Sequence, residues 1–223
     1  MGKRGPKPKR IVSEKWSSNL AYAVGLLATD GCMSPRVHLI DLTSKDLEQL
    51  ENFCKCIGVQ LNIGRKSSGF GEKNILRVQM KNVFFYNFLL SIGLTPAKSR
   101  TLGPLKVPKK YFFDFLRGVF DGDGCTYSYW DPRWRSSFMY YLCFASASTL
   151  FVTWIRKEIQ ARLGVTGHVT SATKKNTYYN LKYAKHDSLK ILRKMYSTSP
   201  SPIYLSRKRL KIEQMLRIVG QRL

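Results

Sequence analysis

The chain has 223 residues, and its 38 lysines and arginines against 14 aspartates and glutamates give a net charge of +24. Hydrophobic residues make up 43% of it, which suffices for a sizeable core and excludes a disordered basic tail. No apolar stretch is long enough to span a bilayer, and no secretory signal is recognised. Such a charge requires a polyanion, and we expect nucleic acid, although charge alone does not separate DNA from RNA. Cysteine spacing without metal-ligand pairs favours reduced thiols, so we expect a protein that works inside a cell.

A basic, proline-rich arm over residues 1–16 opens the chain, and we expect it to lie along phosphates or in a minor groove. A predicted helix of small residues follows and leads directly to the sequence Asp30-Gly31-Cys32. Residues 93–109, with three prolines, read as a linker. Between the first helix and this linker, hydrophobic periodicity predicts an extended segment Arg36–Leu42, a helix Ser44–Ile57, strands Leu61–Lys66 and Asn74–Lys81 around a Ser-Gly-Phe-Gly turn, and a helix Val83–Ile92.

The same order returns after Tyr111, where a second small-residue helix runs into Asp123-Gly124-Cys125. Matched motif positions are 93 residues apart, whereas the glycines that end the next helix of each half, Gly58 and Gly164, are 106 apart. The second half therefore has 13 extra residues, which we assign to its first hairpin. Residues 198–223 form a tail with an amphipathic helix, expected to buttress one half. The remaining predicted elements of the second half are a helix Leu150–Leu163, a strand pair over 166–185 and a helix Leu189–Tyr196.

Each half places one aspartate at the C-terminal end of a helix, where the helix dipole is already negative. Packing of the two helices side by side would make Asp30 and Asp123 repel each other, and a bound divalent cation would relieve that repulsion. Gly31 and Gly124 are expected to adopt the left-handed conformation that ends many helices. Small residues one turn apart, which favour close packing, share a face in each helix: Gly25 and Thr29, and Gly118 and Gly122.

These two motifs resemble the LAGLIDADG homing endonucleases in their single-chain, two-motif form. Gly25, Leu26, Asp30 and Gly31 match the first motif, and Leu116, Gly118, Asp121, Asp123 and Gly124 match the second. The first motif departs at Ala28, where the second has an acid. The resemblance covers about residues 17–197 and implies an α+β fold of two pseudo-symmetric αββαββα repeats, 17–92 and 110–197. The motif helices would pack at the centre, and two antiparallel sheets would form a DNA-binding saddle.

The resemblance also implies an activity: Mg²⁺-dependent cleavage of both DNA strands across the minor groove, leaving short 3′ overhangs, within an asymmetric target of roughly 20 bp. Asp30 and Asp123 would bind Mg²⁺, and Mn²⁺ or Ca²⁺ would substitute for it in binding. The family places a lysine at the end of the last strand of each half, near the attacking water and the scissile phosphate. It also has a polar residue that orients this water. The candidates for these positions are Lys81 in the first half, His186 or Lys185 in the second, and Ser44 and Ser146 for the water.

The polar faces of the two sheets are expected to lie in the major groove and to read base edges. Two alternatives stay open: a DNA-binding regulator of the same fold, for which loss of the motif acids is the expected signature, and an intron RNA maturase that uses the same basic surfaces. We expect a monomer with no obligate protein partner. Alternation along the strands gives the candidate DNA-binding residues as His38, Arg65, Arg77 and Gln79 in the first half, and Tyr127, Tyr129, Arg133, Arg135, Asn180 and Lys182 in the second.

Overall fold

Helices and strands follow one another in the same order in each half of the chain. The computed structural model describes residues 7–66, 75–173, 177–198 and 201–223. The first half contains α1 (Ser18–Thr29), β1 (Gly31–Ser34), β2 (Leu39–Ser44), α2 (Leu47–Ile57), β3 (Ile63–Lys66), β4 (Ile75–Lys81) and α3 (Val83–Ser91). The second half and the tail contain α4 (Phe112–Asp123), β5 (Gly124–Trp130), β6 (Phe138–Ser146), α5 (Thr149–Leu163), β7 (His168–Thr173), β8 (Thr177–Ala184), α6 (Lys185–Tyr196) and α7 (Ser206–Ile218).

Each half forms one four-stranded antiparallel sheet, ordered β1-β2-β4-β3 in the first and β5-β6-β8-β7 in the second. The predicted α+β fold of two repeats is therefore confirmed. The extended segment predicted from Arg36 is wrong at its start, because Pro35–Val37 forms a short helical turn and β2 begins at Leu39. The turn predicted between β3 and β4, and the first six residues of the arm, lie outside the described residues. Among the described helices, none has the length and apolar character needed to cross a membrane.

Helices α1 and α4 pack side by side at the centre, as their small residues predict. A Cβ added to Gly25 would lie 2.3 Å from the carbonyl oxygen of Phe115, and one added to Gly118 would lie 2.1 Å from that of Tyr22. Side chains cannot make contacts this short, so only glycine allows the two backbones to approach so closely. The approach brings the C-terminal ends of both helices together.

The prediction that Gly31 and Gly124 are left-handed is wrong. Gly124 has φ −82° and ψ 157°, and Gly31 is not among the glycines with positive φ; both begin strands. Glycine is needed here for space instead, because a Cβ would lie 2.5 Å from the carbonyl oxygen of Leu27 in the first case and 2.6 Å from Cα of Phe120 in the second. Each motif helix thus passes directly into a strand, and each motif aspartate sits at that junction.

The second half is larger in two places. Of its 13 extra residues, nine lie in the β5–β6 hairpin and four lengthen α5, so the prediction that the hairpin takes all of them is only partly right. β8 ends at Ala184, opposite Tyr141. The three rows of β5 and β6 beyond this pair, at 128–130 and 138–140, form a two-stranded extension past the sheet, called here the β5–β6 ribbon.

Buried polar residues of α4 hold the segment that leads into α7. Arg117, which is 1% exposed, donates from Nε to the carbonyl oxygen of Ile203 at 2.8 Å. Asp121, also buried, accepts hydrogen bonds from the hydroxyl of Tyr22 at 2.7 Å and from the backbone N–H of Leu205 at 2.8 Å. The extra acid of the second motif therefore ties α1, α4 and the tail together.

Helix α7 contacts both halves rather than buttressing one of them. Its N-terminal turn binds the start of α2: Arg207 donates from Nε and Nη2 to the two carboxylate oxygens of Asp46 at 2.8 and 2.6 Å. The backbone N–H of Ser206 donates to Glu48 at 3.0 Å. Since the preceding segment is bound to α4, the tail crosses from the second half to the first beside the ends of the motif helices.

Candidate active site and nucleic-acid interface

The two motif aspartates lie at adjoining helix ends. Asp30 follows α1 and its backbone N–H donates to the carbonyl of Leu26 at 2.9 Å, while Asp123 is the last residue of α4. Asp30 Oδ2 is 3.0 Å from the point where a Cβ on Gly122 would be. Burial and, second, the charge of Asp123 raise the pKa of Asp30 to about 6, and burial raises the pKa of Asp123. The expected closeness of the two acids is therefore observed.

Two lysines that the sequence reasoning missed complete this centre. Lys98, in a short helical turn after α3, donates from Nζ to the carbonyl oxygen of Gly31. Lys208 in α7 donates from Nζ to the carbonyls of Gly122 and Gly124 at 2.9 and 2.7 Å. Burial lowers the pKa of each lysine, while the charges of both motif aspartates act to raise it. Each half thus has one acid and one ammonium group at its helix–strand junction.

The structure does not bring Lys81 to the aspartates. In the sheet register Lys81 lies opposite Leu39, whereas the residue opposite Gly31 is Leu42, three rows further along β2. Three rows correspond to about 10 Å along a strand. The end of β4 that carries Lys81 is therefore distant from the row of Gly31, and Lys98 is the lysine that the structure places at the junction of α1 and β1.

In the second half the expected lysine or histidine is displaced for the same reason. Leu42 pairs with Gly31 on one side and with Val78 on the other, and Phe144 pairs in the same way with Gly124 and Leu181. Val78 and Leu181 therefore occupy equivalent rows. The equivalent of the first-half strand-end lysine is then Ala184, and not His186. Lys185 and His186 instead begin α6. The structure does not bring either of them to the aspartates.

A polar chain supports Asp30 alone. Gln49, the third residue of α2, donates from Nε2 to Asp30 Oδ2 at 2.7 Å, and Ser44 Oγ donates to Gln49 Oε1 at 3.0 Å. The third residue of α5 is Phe151, whose side chain has no hydrogen-bond donor. Ser146 Oγ accepts a hydrogen bond from the backbone N–H of Ser148. The centre is therefore pseudo-symmetric in its acids and lysines and asymmetric in the residues around them.

Several predicted DNA-binding residues share the face of the sheets that is turned away from the helices. In β4 the buried Val78 and Met80 face the core, so Arg77 and Gln79 project from the other side. Gln79 donates to Asp41 at 2.8 Å on that face. The second half presents Tyr127, Tyr129, Asn180 and Lys182 in the same way, through the rows that alternate with the buried Thr126, Leu181 and Tyr183.

Two other predicted DNA-binding residues lie elsewhere. Arg65 is opposite Leu76, which packs against the core, so the register places Arg65 on the helix side of the sheet and not on the polar face assumed for it. His38 has φ 48° after the short helical turn, and its ring meets that of Tyr86 in α3 edge-on at 5.2 Å. The two cases differ in cause: the pairing of β3 decides the face on which Arg65 lies, whereas His38 follows a short helical turn that interrupts the extended segment.

Arg133 and Arg135 lie in the turn at the end of the β5–β6 ribbon and not on a strand. Arg133 donates from Nε and Nη2 to the carboxylate of Asp131 at 3.2 and 3.1 Å, and its own side chain is 80% exposed. These hydrogen bonds lower the pKa of Asp131. Both arginines are therefore at the far end of the hairpin from the aspartates.

The donor set of the centre suits a hard cation. No group of three or more histidine, cysteine, aspartate or glutamate side chains lies together within the described ranges. Carboxylate and carbonyl oxygens are nonetheless the ligands Mg²⁺ prefers, and it keeps several waters. Within the described part of the chain the carboxylate of Asp123 makes no hydrogen bond, so its oxygens are available as ligands. Asp30 is half-buried and Asp123 is exposed, and both carboxylates have raised pKa values; they fit a divalent ion, which would favour their charged forms.

The architecture is the LAGLIDADG fold, which this chain shares with solved structures of two kinds. The I-LtrWI LAGLIDADG homing endonuclease bound to target DNA has a TM-score of 0.60 at 13% identity, covering 91% of this chain and 90% of that one. I-DmoI in complex with DNA and Ca has a TM-score of 0.59 at 12% identity, covering 87% and 97%. Other I-DmoI structures with DNA contain Mn or were obtained in the presence of Mg.

The second kind is not described as an endonuclease. Full-length DUF199/WhiA from Thermatoga maritima has a TM-score of 0.57 at 14% identity and covers 92% of this chain; the chain spans only 61% of that protein. No family model matches the sequence, and no curated protein does. At these identities the likeness concerns the fold alone.

Proposed function

We propose that the chain is a DNA endonuclease that makes a divalent-metal-dependent double-strand break. The arrangement of Asp30 and Asp123 carries this proposal: two acids at adjoining helix ends, each next to a glycine whose carbonyl binds a lysine. Such a pair provides one acid for each strand of a duplex, which a site for hydrolysis of both strands requires. The likeness to homing endonucleases bound to DNA supports the same conclusion.

The residues of the centre have separable roles. Asp30 and Asp123 would hold Mg²⁺, which when bound supplies an acidified water and stabilises charge on the phosphate. Lys98 and Lys208 lie beside the acids and would stabilise negative charge on a scissile phosphate as it develops. Gln49 fixes the Asp30 carboxylate through a 2.7 Å hydrogen bond and would orient it as a ligand. Helices α1 and α4 hold these groups rigidly because their backbones pack in direct contact at Gly25 and Gly118.

Binding of DNA is supported by the charge of the chain and by the polar sheet faces. A net charge of +24 favours a polyanion at long range, and Arg77, Gln79 and Lys182 are residue types that bind phosphates or base edges. Two sheets on either side of the motif helices would each cover about one turn of duplex, giving an asymmetric target of roughly 20 bp. Proteins of this fold bound to target DNA are among the structural neighbours.

A DNA-binding regulator that does not cut is the second candidate. It is favoured by the ammonium groups of Lys98 and Lys208, which already balance the charge of the two aspartates and occupy the carbonyls beside them. A centre neutralised in this way does not need a divalent ion for stability. WhiA, whose name does not describe an endonuclease, shares the fold at an identity similar to that of the nucleases, so the likeness of fold does not favour the nuclease over this candidate.

One experiment separates the two candidates. Duplexes selected from a randomised library by the wild-type protein in Ca²⁺ are offered to the wild type and to Asp30→Asn and Asp123→Asn variants, with Mg²⁺ or with EDTA. The nuclease predicts double-strand cutting in Mg²⁺ that both variants lose while they retain binding in Ca²⁺. Glu51→Gln, an exposed change on α2, is the matched control and should cut normally. Sequence-specific binding with no cutting in Mg²⁺ would establish the regulator, and binding of an intron RNA in the same assay would test the maturase.

A further inference from the structure

The β5–β6 ribbon has no counterpart in the first half. There β2 pairs with β4 along its whole length, from Leu39 to Ser44, so no free hairpin extends beyond the sheet. In the second half the paired strands continue for three rows past the end of β8. A two-stranded ribbon has the width that a major groove admits. The duplex that lies against the two sheets would therefore meet a projection on one side only.

Stacked tyrosines stiffen the base of this ribbon. The rings of Tyr127 and Tyr141 stack at 4.8 Å with an interplanar angle of 13°, and Tyr129 stacks on Tyr141 at 6.2 Å. The ammonium group of Lys182 lies 6.0 Å over the Tyr127 ring. The three aromatic rings form a flat wall on the same face as the predicted DNA-binding residues, leading from the aspartates toward the end of the hairpin.

The tip of the ribbon, residues 131–137, is held by its own hydrogen bonds. The backbone N–H of Asp131 donates to the carbonyl of Ser137 at 2.9 Å, and that of Trp134 donates to the carbonyl of Asp131 at 3.1 Å. The backbone N–H of Ser137 donates to the carbonyl of Trp134 at 2.7 Å. Lys185 in α6 then ties the tip to the body through a 3.1 Å hydrogen bond to Ser137 Oγ. Binding would cost little ordering entropy, because the tip is already fixed.

At the centre of this rigid tip stands an exposed indole. Trp134 is 69% exposed, more than any other large hydrophobic residue in the described part of the chain. Arg133 and Arg135 flank it, and both are exposed. The sequence places this large apolar ring between two arginines, which suits a nucleobase between two phosphates; Nε and Nη2 of Arg133 bind Asp131, and its Nη1 makes no hydrogen bond within the described residues. A protein partner for the same tip would have to cover a basic segment in a chain that already carries strong positive charge.

We propose that the tip is a DNA wedge: Trp134 inserts at a base step near the outer end of the second-half footprint and bends the duplex, while Arg133 and Arg135 contact the phosphates on either side. The inference rests on the proposed binding of duplex DNA and not on cutting. Aromatic and apolar side chains that enter a base step unstack it and kink the helix. Pyrimidine–purine steps are the easiest to open, so one such step is expected at a fixed position on one side of the target.

The test uses the full chain and the duplexes selected in Ca²⁺. End-to-end energy transfer between dyes measures the bend, and 2-aminopurine placed at successive positions reports unstacking. The wild type should bend the duplex and change the 2-aminopurine signal at one step on one side only. Trp134→Ala should abolish both effects and weaken binding roughly tenfold, the scale of one lost base–aromatic stack. Trp134→Phe should retain most of the bend, and Leu150→Ala, a 60% exposed residue on α5, should behave like the wild type.

The outcomes distinguish this wedge from the proposed function. Equal bending and an equal 2-aminopurine signal for wild type and Trp134→Ala would overturn the wedge and leave DNA binding intact. A wild type that selects no duplex at all would overturn both. Because Trp134 is exposed, its replacement should leave the thermal unfolding midpoint unchanged, and this measurement shows that the variant is folded.

Discussion

The Nζ atom of Lys208 lies 2.7 Å from the carbonyl oxygen of Gly124, the residue that follows Asp123. A lysine from the last helix of the chain thus reaches the junction at which the second motif helix becomes a strand. Lys98 makes the equivalent contact with Gly31 in the first half. Lys98 is buried and Lys208 is half-buried, both beside acids whose pKa values are raised, so removing one lysine changes the electrostatics of the whole centre.

Replacing either lysine should stop cleavage and spare binding. Lys208→Met and Lys98→Met remove an ammonium group next to the aspartates, and loss of one such electrostatic contact lowers the chemical rate by about a hundredfold or more. Single-turnover cleavage rates and binding in Ca²⁺ measure the two effects separately. Lys211→Met, an exposed change on the same helix, should leave the rate unchanged. Equal rates for Lys208→Met and Lys211→Met would show that Lys208 is structural.

Glycine at the crossing of α1 and α4 should be indispensable. Gly118→Ala puts a methyl group 2.1 Å from the carbonyl oxygen of Tyr22, so the helices must separate, at a cost of about 3 kcal/mol or more in unfolding free energy. Urea unfolding measures the change. Gly103→Ala, where a Cβ meets nothing within 4 Å, is the control and should be nearly neutral. Similar stabilities for the two variants would mean that the helices are not packed as described.

Removal of Gln49 should affect the two DNA strands unequally. Gln49→Leu deletes the 2.7 Å hydrogen bond to Asp30, while Asp123 has no equivalent support to lose. The pKa of Asp30 should rise further, since this hydrogen bond lowers it. Cleavage of a supercoiled plasmid that carries the selected target should therefore accumulate nicked circles before linear product appears. Equal slowing of both strands would contradict an asymmetric centre.

The ion pair between Arg207 and Asp46 should stabilise the fold only above acidic pH. Arg207 lowers the pKa of Asp46, so the stabilisation is present above the unfolded pKa near 4 and is lost as the pH falls through the lower folded pKa. The pair is partly exposed, and Asp46→Asn should cost less than about 1 kcal/mol at pH 7. A double-mutant cycle with Arg207→Gln, measured by urea unfolding at pH 7 and again below pH 3, isolates the pair. A coupling energy that is the same at both pH values would contradict a stabilising ion pair between Arg207 and Asp46.

Lys182 should contribute a phosphate contact. Lys182→Ala should weaken DNA binding and reduce the slope of log affinity against log salt by about 1, as expected when one phosphate contact is lost. Lys190→Ala is the matched control, because Lys190 is exposed on α6 behind the sheet. Fluorescence anisotropy at several salt concentrations measures both. Equal slopes for the two variants would place the duplex away from β8.

The elements and their order could be predicted because they depend on local patterns. The helix that ends at Gly58 and the alternation in β4 depend on residues close to one another in the sequence, and the same order of elements occurs in each half. Lys98 and Lys208 could not be found in this way. They lie 67 and 84 residues from the glycines whose carbonyls they bind, and nothing in their neighbourhood distinguishes them from the other lysines and arginines of the chain.

Errors in strand register explain two of the other misplacements, that of the second-half strand-end residue and that of Arg65. A shift of two positions in aligning the last strands moved the expected second lysine from Ala184 to His186. Arg65 fell on the wrong face because the pairing of β3, a four-residue edge strand, was not specified by its own sequence. In each case the residue type was plausible, and only the pairing with a distant strand decided where its side chain points.

Each half of this chain carries its acid, its glycine and its lysine in the same linear order, with the lysine after the helix that closes the repeat. This is the order expected if a gene for a symmetric two-chain assembly was duplicated and joined end to end. Once joined, the copies no longer had to stay identical. The polar chain on Asp30 and the ribbon that bears Trp134 are differences that a homodimer could not have, and they would allow the proposed endonuclease to bind a target without two-fold symmetry.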